Sequence, residues 1–263
     1  MKFLRLIGIL SFSSSLFASA TLATFMSGAV AGLLLGCSTA EKYDTSTAEG
    51  AFKQAEDYEK DERYEEAVAK YTDVKNKFPY SKFATSAELK IADVQYKREA
   101  FIEAQSAYQL FKEFHPKHPQ ADYVTFRLAM SFFNQLPSSI DRDLTVADKA
   151  ILYFDEVINS YASSAYAEEA RKHRSEALKM QAQKEIYVAN FYVKRQNYDS
   201  ALKRYETVLK SYPNLGFDPE ALLGAARSAL KAGEKERGQQ HLKNLYSQYP
   251  NSDEARRAKH ELE

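Results

Sequence analysis

Residues 189–213 read ANFYVKRQNYDSALKRYETVLKSYP. Ala189 is followed twelve residues later by Ala201, then by Tyr205 and Val208 four and seven positions on, and Pro213 closes the stretch at twelve. The same spacing recurs in Ala55/Ala67/Tyr71/Val74/Pro79, in Ala92/Ala104/Tyr108/Phe111/Pro116 and in Ala226/Gly238/Leu242/Leu245/Pro250. Two antiparallel helices approach most closely where both carry a small side chain. The residues at four and seven continue the same helical face and fill the space beside that contact. Proline cannot continue the second helix, so it starts the turn to the next unit.

An ordinary bundle has apolar helix faces too, but it does not fix small residues twelve apart four times with proline in register. The pattern resembles the tetratricopeptide repeat, slightly lengthened, and predicts an all-α solenoid of about five helix pairs. A fifth unit is partly hidden: Ala150, Phe154 and Val157 copy a second helix, but Ala162 replaces the proline. Its small partner is Ala129, so about nine residues are inserted within the Leu136-to-Val146 stretch, which holds the Asp141-Arg142-Asp143 triplet. From Ala162 to Ala189 is 27 residues, against 13 from Pro79 to Ala92. The excess equals about four helical turns, and no Pro or Gly lies between Tyr161 and Tyr212. This predicts one long first helix, about Tyr166 to Arg195, joining repeats one to three with four to five. The expected repeats are 48–84, 85–121, 122–163, 164–218 and 219–255 within a solenoid over 48–263. The charged end, Asp253 to Glu263, suits a cap or a frayed terminus.

Ahead of the repeats lies an apolar leader. Lys2 and Arg5 are the only charges in residues 1–36, and the single cysteine, Cys37, follows Leu34-Leu35-Gly36. This run resembles a bacterial lipobox and predicts a signal peptide over 1–36, cleaved so that Cys37 becomes acylated. Thr21 to Leu35 is short of the roughly twenty apolar residues a membrane-spanning helix needs. Residues 37–47 then read as an acylated tether, small and polar over 39–47, reaching at most about 35 Å when extended. Loss of the leader removes Lys2 and Arg5 and leaves 34 basic against 36 acidic residues. That balance points to no nucleic-acid partner. Nine Gly, seven Pro and no Trp among 263 residues favour helix throughout.

The sequence carries no catalytic constellation: no Gly-rich phosphate loop, no His-Glu-x-x-His and no Gly-x-Ser-x-Gly. The expectation is a non-enzyme without metal or cofactor, apart from the covalent lipid on Cys37. His115 and His118 flank Pro116 and Pro119 and read as an inter-repeat turn; Asp141 and Asp143 read as a charged loop or helix cap. Most of the eighteen tyrosines fall at helical spacing and read as packing residues. First helices of repeat solenoids line a concave groove, and helix phase makes Phe52, Tyr96 and Tyr123 candidates for a wall facing an extended client segment.

Several stretches, in order, carry a wider likeness. They are His115-Pro116-Lys117-His118-Pro119, Asp122-Tyr123-Val124, Asp141-Arg142-Asp143, Ala165-Tyr166-Ala167 and the run Val188 to Arg195 with Tyr198 and Arg204. Together with the lipobox, the insert and the long helix, they resemble the BamD family of outer-membrane assembly lipoproteins. The departure is Ala162 in place of the usual turn proline. The resemblance implies an outer-membrane, lipid-anchored protein on the periplasmic side. Its C-terminal repeats would bind the POTRA region of a BamA-like barrel protein, alongside other assembly lipoproteins, with Arg195 and Arg204 at the contact. Its N-terminal repeats would receive unfolded outer-membrane proteins. The residues alone leave open another periplasmic repeat scaffold, for example in cell-wall synthesis or division, or a domain serving a hydrolase.

Overall fold

The computed structural model describes residues 42–262, so Cys37 and the 1–36 leader lie outside the described residues. Among those described there are eleven α-helices and no strand: α1 Ala48–Lys60, α2 Tyr64–Lys77, α3 Lys82–Lys97, α4 Phe101–Phe114, α5 Ala121–Phe133, α6 Val146–Ser160, α7 Ala167–Lys194, α8 Tyr198–Ser211, α9 Asp218–Ala232, α10 Lys235–Gln248 and α11 Asp253–Leu262. Each helix packs chiefly on its neighbours in the chain, as a solenoid requires. The pairs are α1/α2, α3/α4, α5/α6, α7/α8 and α9/α10. The boundary expected at 84/85 falls inside α3, because the Ser81 hydroxyl caps that helix by accepting from the Phe83 amide at 3.1 Å.

The small residues meet where the spacing placed them. Ala55 and Ala67, Ala92 and Ala104, Ala129 and Ala150, and Ala189 and Ala201 are all fully buried. At the Ala226/Gly238 crossing, a Cβ on Gly238 would stand 2.7 Å from the Leu230 side chain, so even alanine crowds this contact. Beside each contact lies the large residue four positions on, with Tyr71, Tyr108 and Phe154 fully buried. The buried phenols find acceptors on the partner helix: Tyr71 donates to Glu59, Tyr108 to Asp93 and Tyr205 to Asn190 at 2.6–2.7 Å.

The turns repeat as faithfully as the helices. Glu62, Glu99, Gln196 and Gly233 occupy the same position in four pairs, and all are left-handed, with φ of 57°, 61°, 57° and 87°. At each, the next residue's amide reaches back to close the helix: Arg63 to Tyr58, Ala100 to Gln95, Asn197 to Tyr192 and Glu234 to Ala229, at 2.9–3.0 Å. This is the Schellman closure. Between pairs, the residue before each proline leaves the helical region, as at Phe78, His115, Tyr212 and Tyr249. Tyr161 adopts the same φ −126°, ψ 45° although Ala162 follows it, so this turn does not need its proline.

The segment after α5, residues 134–145, forms the long turn of the third pair. Here Lys184 of α7 donates to the carbonyls of Asp141 and Arg142. Helix α7 runs unbroken for 28 residues, packing on α6 and on α8. Alanine supplies most of its buried positions, from Ala170 to Ala189. Helix α11 covers the last pair by burying Ala255 and Ala258 against Leu222, Leu242 and Leu245.

The stretch expected as a flexible tether is fastened where it is described. Lys42 and Tyr43 both reach Asp57 of α1, and Asp44 to Ser46 form a tight turn leading to the N-cap Thr47. Gly50 permits the close approach: a Cβ there would lie 2.0 Å from the Asp44 carbonyl oxygen.

Candidate binding surfaces

Two surfaces stand out, one among the N-terminal helices and one on α7. The first is a cavity between the first helices of the N-terminal pairs, lined among others by Phe52 of α1, Lys90 and Asp93 of α3, His118 of the α4–α5 turn and Tyr123 of α5. Phe52 gives it little surface. Its ring packs 5.3 Å from Tyr71 and 5.4 Å from Phe83, and the residue is buried in the first core cluster. Tyr123 is a true wall residue. Its hydroxyl donates to Asp93 Oδ1 at 2.7 Å, an oxygen that also accepts from Tyr108. Burial, with Asp93 beside it, pushes the Tyr123 phenol up to about 12. Tyr96 sits one turn beyond Asp93 on α3; its ring stands edge-on to Phe101, and its oxygen accepts from Asn134 at 2.8 Å. Between Tyr96 and Tyr123 lies Arg127, its guanidinium 4.7 and 5.3 Å from the two ring centroids.

Behind Lys90 lies a buried carboxylate. Glu59 accepts from Tyr71 and from Lys90 at 3.2 Å, and pairs with Lys97. Burial works to raise its pKa, but the Lys97 and Tyr71 hydrogen bonds and the two ammonium charges outweigh it, so the carboxyl stays below its ordinary value.

The second surface is the C-terminal half of α7. Tyr187 and Phe191 lie one turn apart and are 48% and 45% exposed, large for aromatic side chains on a helix otherwise rich in charge. Arg195, the C-cap of α7, lays its guanidinium 4.5 Å over the Phe191 ring. Lys184 flanks Tyr187 at 6.0 Å. The result is an aromatic stripe with a cation at each end. Arg204, on α8, is placed differently: one of its terminal nitrogens contacts both Glu185 oxygens at 3.0 and 3.2 Å, within the same helix pair. Arg195 and Arg204 therefore have separate partners in the chain.

The remaining polar candidates have structural partners. His115 Nε2 lies 2.7 Å from Glu88, and both His115 and His118 pack on Phe111. Asp141 and Asp143 accept from Ser139 and Thr145 within the 134–145 turn. Among the described residues no cluster of three or more His, Cys, Asp or Glu side chains is arranged to hold a metal, and no helix is long and apolar enough to cross a membrane.

A family model described as YfiO, outer membrane lipoprotein, matches residues 44–225, which include both surfaces up to α9. The chain belongs to this family. A tetratricopeptide-repeat model matches residues 192–262. Among curated relatives, the outer membrane protein assembly factor BamD of Neisseria meningitidis serogroup A is 28% identical over 215 residues, covering 78% of this chain and 80% of the relative. BamD of Neisseria gonorrhoeae is 30% identical over 185 residues, covering 67% and 69%. BamD of Caulobacter vibrioides is 24% identical over 187 residues, covering 71% and 61%. The protein is thus a BamD/YfiO-like tetratricopeptide-repeat assembly factor associated with the outer membrane.

Of the groove candidates read from helix phase, Tyr123 lines the cavity, Tyr96 lies beside it against Arg127, and Phe52 is buried; the sequence reading did not single out Arg127, Tyr187 or Phe191. A signal for Arg127 was present: it is the only charge between Asp122 and Asp141.

Proposed function

We propose that this protein is a periplasm-facing scaffold of the outer-membrane assembly machinery, anchored by lipid on Cys37. Its C-terminal repeats hold the POTRA region of a BamA-like barrel protein, and the first-helix groove of its N-terminal repeats receives extended segments of unfolded β-barrel proteins. The observation that supports this most directly is the solvent-facing stripe of Tyr187, Phe191 and Arg195 on α7. Exposed aromatics beside an arginine are the composition of an interface centre rather than of a free surface. Arg204, half exposed beside the well-covered Glu185, offers further donors to a carboxylate on the partner. Neither role requires catalysis; the work is binding and placement.

Phe191→Glu tests the reading, because an exposed position tolerates the change without unfolding. Purified from membranes, the variant is expected to lose most of the co-purifying barrel protein while melting like wild type. Retention of the barrel protein, or recovery of cell-wall synthases in its place, overturns the assignment.

A further inference from the structure

A further cavity, of about 440 Å³, lies among the C-terminal helices, bounded by α7, α8, α9 and the end of α11. Its wall holds an unexplained polar atom. Ser228 is 1% exposed, and its hydroxyl has no hydrogen-bond partner among the described residues. A buried helical hydroxyl ordinarily returns to the carbonyl four residues back. Thr125 and Ser131, the other two buried hydroxyls, both do so at 2.8 Å. An orphan hydroxyl on a cavity wall points to something that the cavity takes up. The groups around it are mostly donors. Asn190 uses its carbonyl oxygen to accept from Tyr205, which leaves its amide nitrogen to donate. Arg227 stands beside Ser228, and Lys231 follows one turn on. Val193, 37% exposed, and Leu230 give the cavity an apolar side. The one carboxylate in the lining belongs to Glu261 of α11, which pairs with Arg227. Both side chains of that pair are open to solvent, at 37% and 44%, so the pair is readily exchanged. Among its described side chains, α11 buries only Ala255 and Ala258.

We infer that this cavity docks an acidic side chain of a protein partner, flanked by apolar residues, and that Glu261 holds its place until the partner displaces it. The resident acid is itself a side chain within a helix, so the chemistry is that of an internal glutamate and not of a chain end. Arg227 and Lys231 supply the charge, and Ser228 and Asn190 supply neutral donors to the carboxylate oxygens. The inference rests on the reading of the C-terminal repeats as the contact with the barrel protein. It names what the partner presents there and which residue of this chain competes with it.

The test uses the full chain in detergent and two labelled peptides capped at both ends, Gly-Ser-Phe-Glu-Phe-Ser-Gly and its counterpart with Gln at the centre. Fluorescence anisotropy is expected to give the Glu peptide about tenfold tighter binding than the Gln peptide, the scale of one charge-assisted contact. Arg227→Gln should bring that ratio to about one. Arg227→Lys should give an intermediate ratio and serves if the Gln variant does not fold. Glu261→Gln is the deciding variant, because it removes the resident acid. It should tighten the Glu peptide by about two- to fivefold, the scale of an exposed ion pair, and leave the Gln peptide unchanged. A purely structural Arg227–Glu261 pair predicts no such gain. Equal binding of the two peptides to the wild type, a tenfold ratio surviving in Arg227→Gln, or no gain in Glu261→Gln overturns the inference, as does failure of both peptides to bind. Co-purification of the barrel protein with the wild-type chain is scored in parallel: its presence leaves the reading of the C-terminal repeats standing whatever the peptides do, and its absence overturns that reading and the inference together.

Discussion

Tyr205 occupies the space that a side chain on Gly224 would need. A Cβ built on Gly224 would lie 2.4 Å from the ring Cζ, and the ring is almost wholly buried. The contact crosses from the second helix of the fourth pair to the first helix of the fifth, so it ties stacking between neighbours to the absence of one methyl group. Gly224→Ala is expected to cost about 1–3 kcal/mol through overpacking. A thermal melt should fall by several degrees, and hydrogen exchange should speed up in α8 and α9 before α1 to α4. An unchanged melt would mean that the ring shifts freely.

The left-handed turn residues make a second prediction. Gly233 has open space around its missing Cβ, so only its backbone conformation matters. Glu62, Glu99 and Gln196 hold the same conformation with a side chain, which carries a steric penalty that glycine lacks. Glu62→Gly, Glu99→Gly and Gln196→Gly should each stabilise the array by about 0.5–1 kcal/mol, against the usual effect of glycine. Urea unfolding of the single variants checks the sign.

Glu59 gives the protein an acid-sensitive N-terminal end. Its folded pKa is depressed below its ordinary 4.5, so the stability it contributes is complete above about 4.5 and is lost as pH falls through the folded value. Glu59→Gln should keep the acceptor for Tyr71 while leaving Lys90 and Lys97 without their counter-charge, a loss of about 1–3 kcal/mol at pH 7. Its unfolding should then vary less with pH than wild type between 4.5 and 3. Equal acid sensitivity in both proteins would place the titration elsewhere.

The pairing of Arg204 with Glu185 governs how Arg204 is to be probed. Reversal to Glu sets two carboxylates together and mixes folding with binding. Arg204→Gln avoids this. The pair is partly exposed on the arginine side, so its loss should change stability by less than about 1 kcal/mol. Co-purification of the barrel protein should nonetheless drop, whereas Glu185→Gln, which leaves Arg204 in place, should retain it. Equal retention in both variants removes Arg204 from the interface.

The repeat was legible because its signal is steric and local: small residues where helices cross, a large residue beside them, proline after. The spacing from Ala162 to Ala189 revealed α7 for the same reason, since regular packing makes an excess of residues countable. Helix phase was weaker at the wall. It identifies the inward side of α1 but not which inward residues a neighbour covers, so Phe52 reads like Tyr123 until Phe83 is in place over its ring. The fastening of residues 42–47 was illegible because small polar composition looks like linker. It is the side chains of Lys42 and Tyr43, reaching fifteen and fourteen residues ahead to Asp57, that hold it. Arg127 was passed over because an isolated arginine in an apolar run reads as a surface residue until its lack of a counter-ion is seen.

Helix α7 works as a strut. At 1.5 Å per residue, its 28 residues make a rod of about 42 Å. With no Pro, Gly or break along it, the rod has no hinge of its own. The stripe of Tyr187 and Phe191 lies on the C-terminal half of this rod, and α6, whose partner α5 carries Tyr123 of the N-terminal cavity, packs along it. Any change in the distance between stripe and cavity must therefore come from shifts between packed helices from α3 to α7, and at the α6–α7 contact Arg174 on Asp155 and Gln181 on Asp148 resist such sliding.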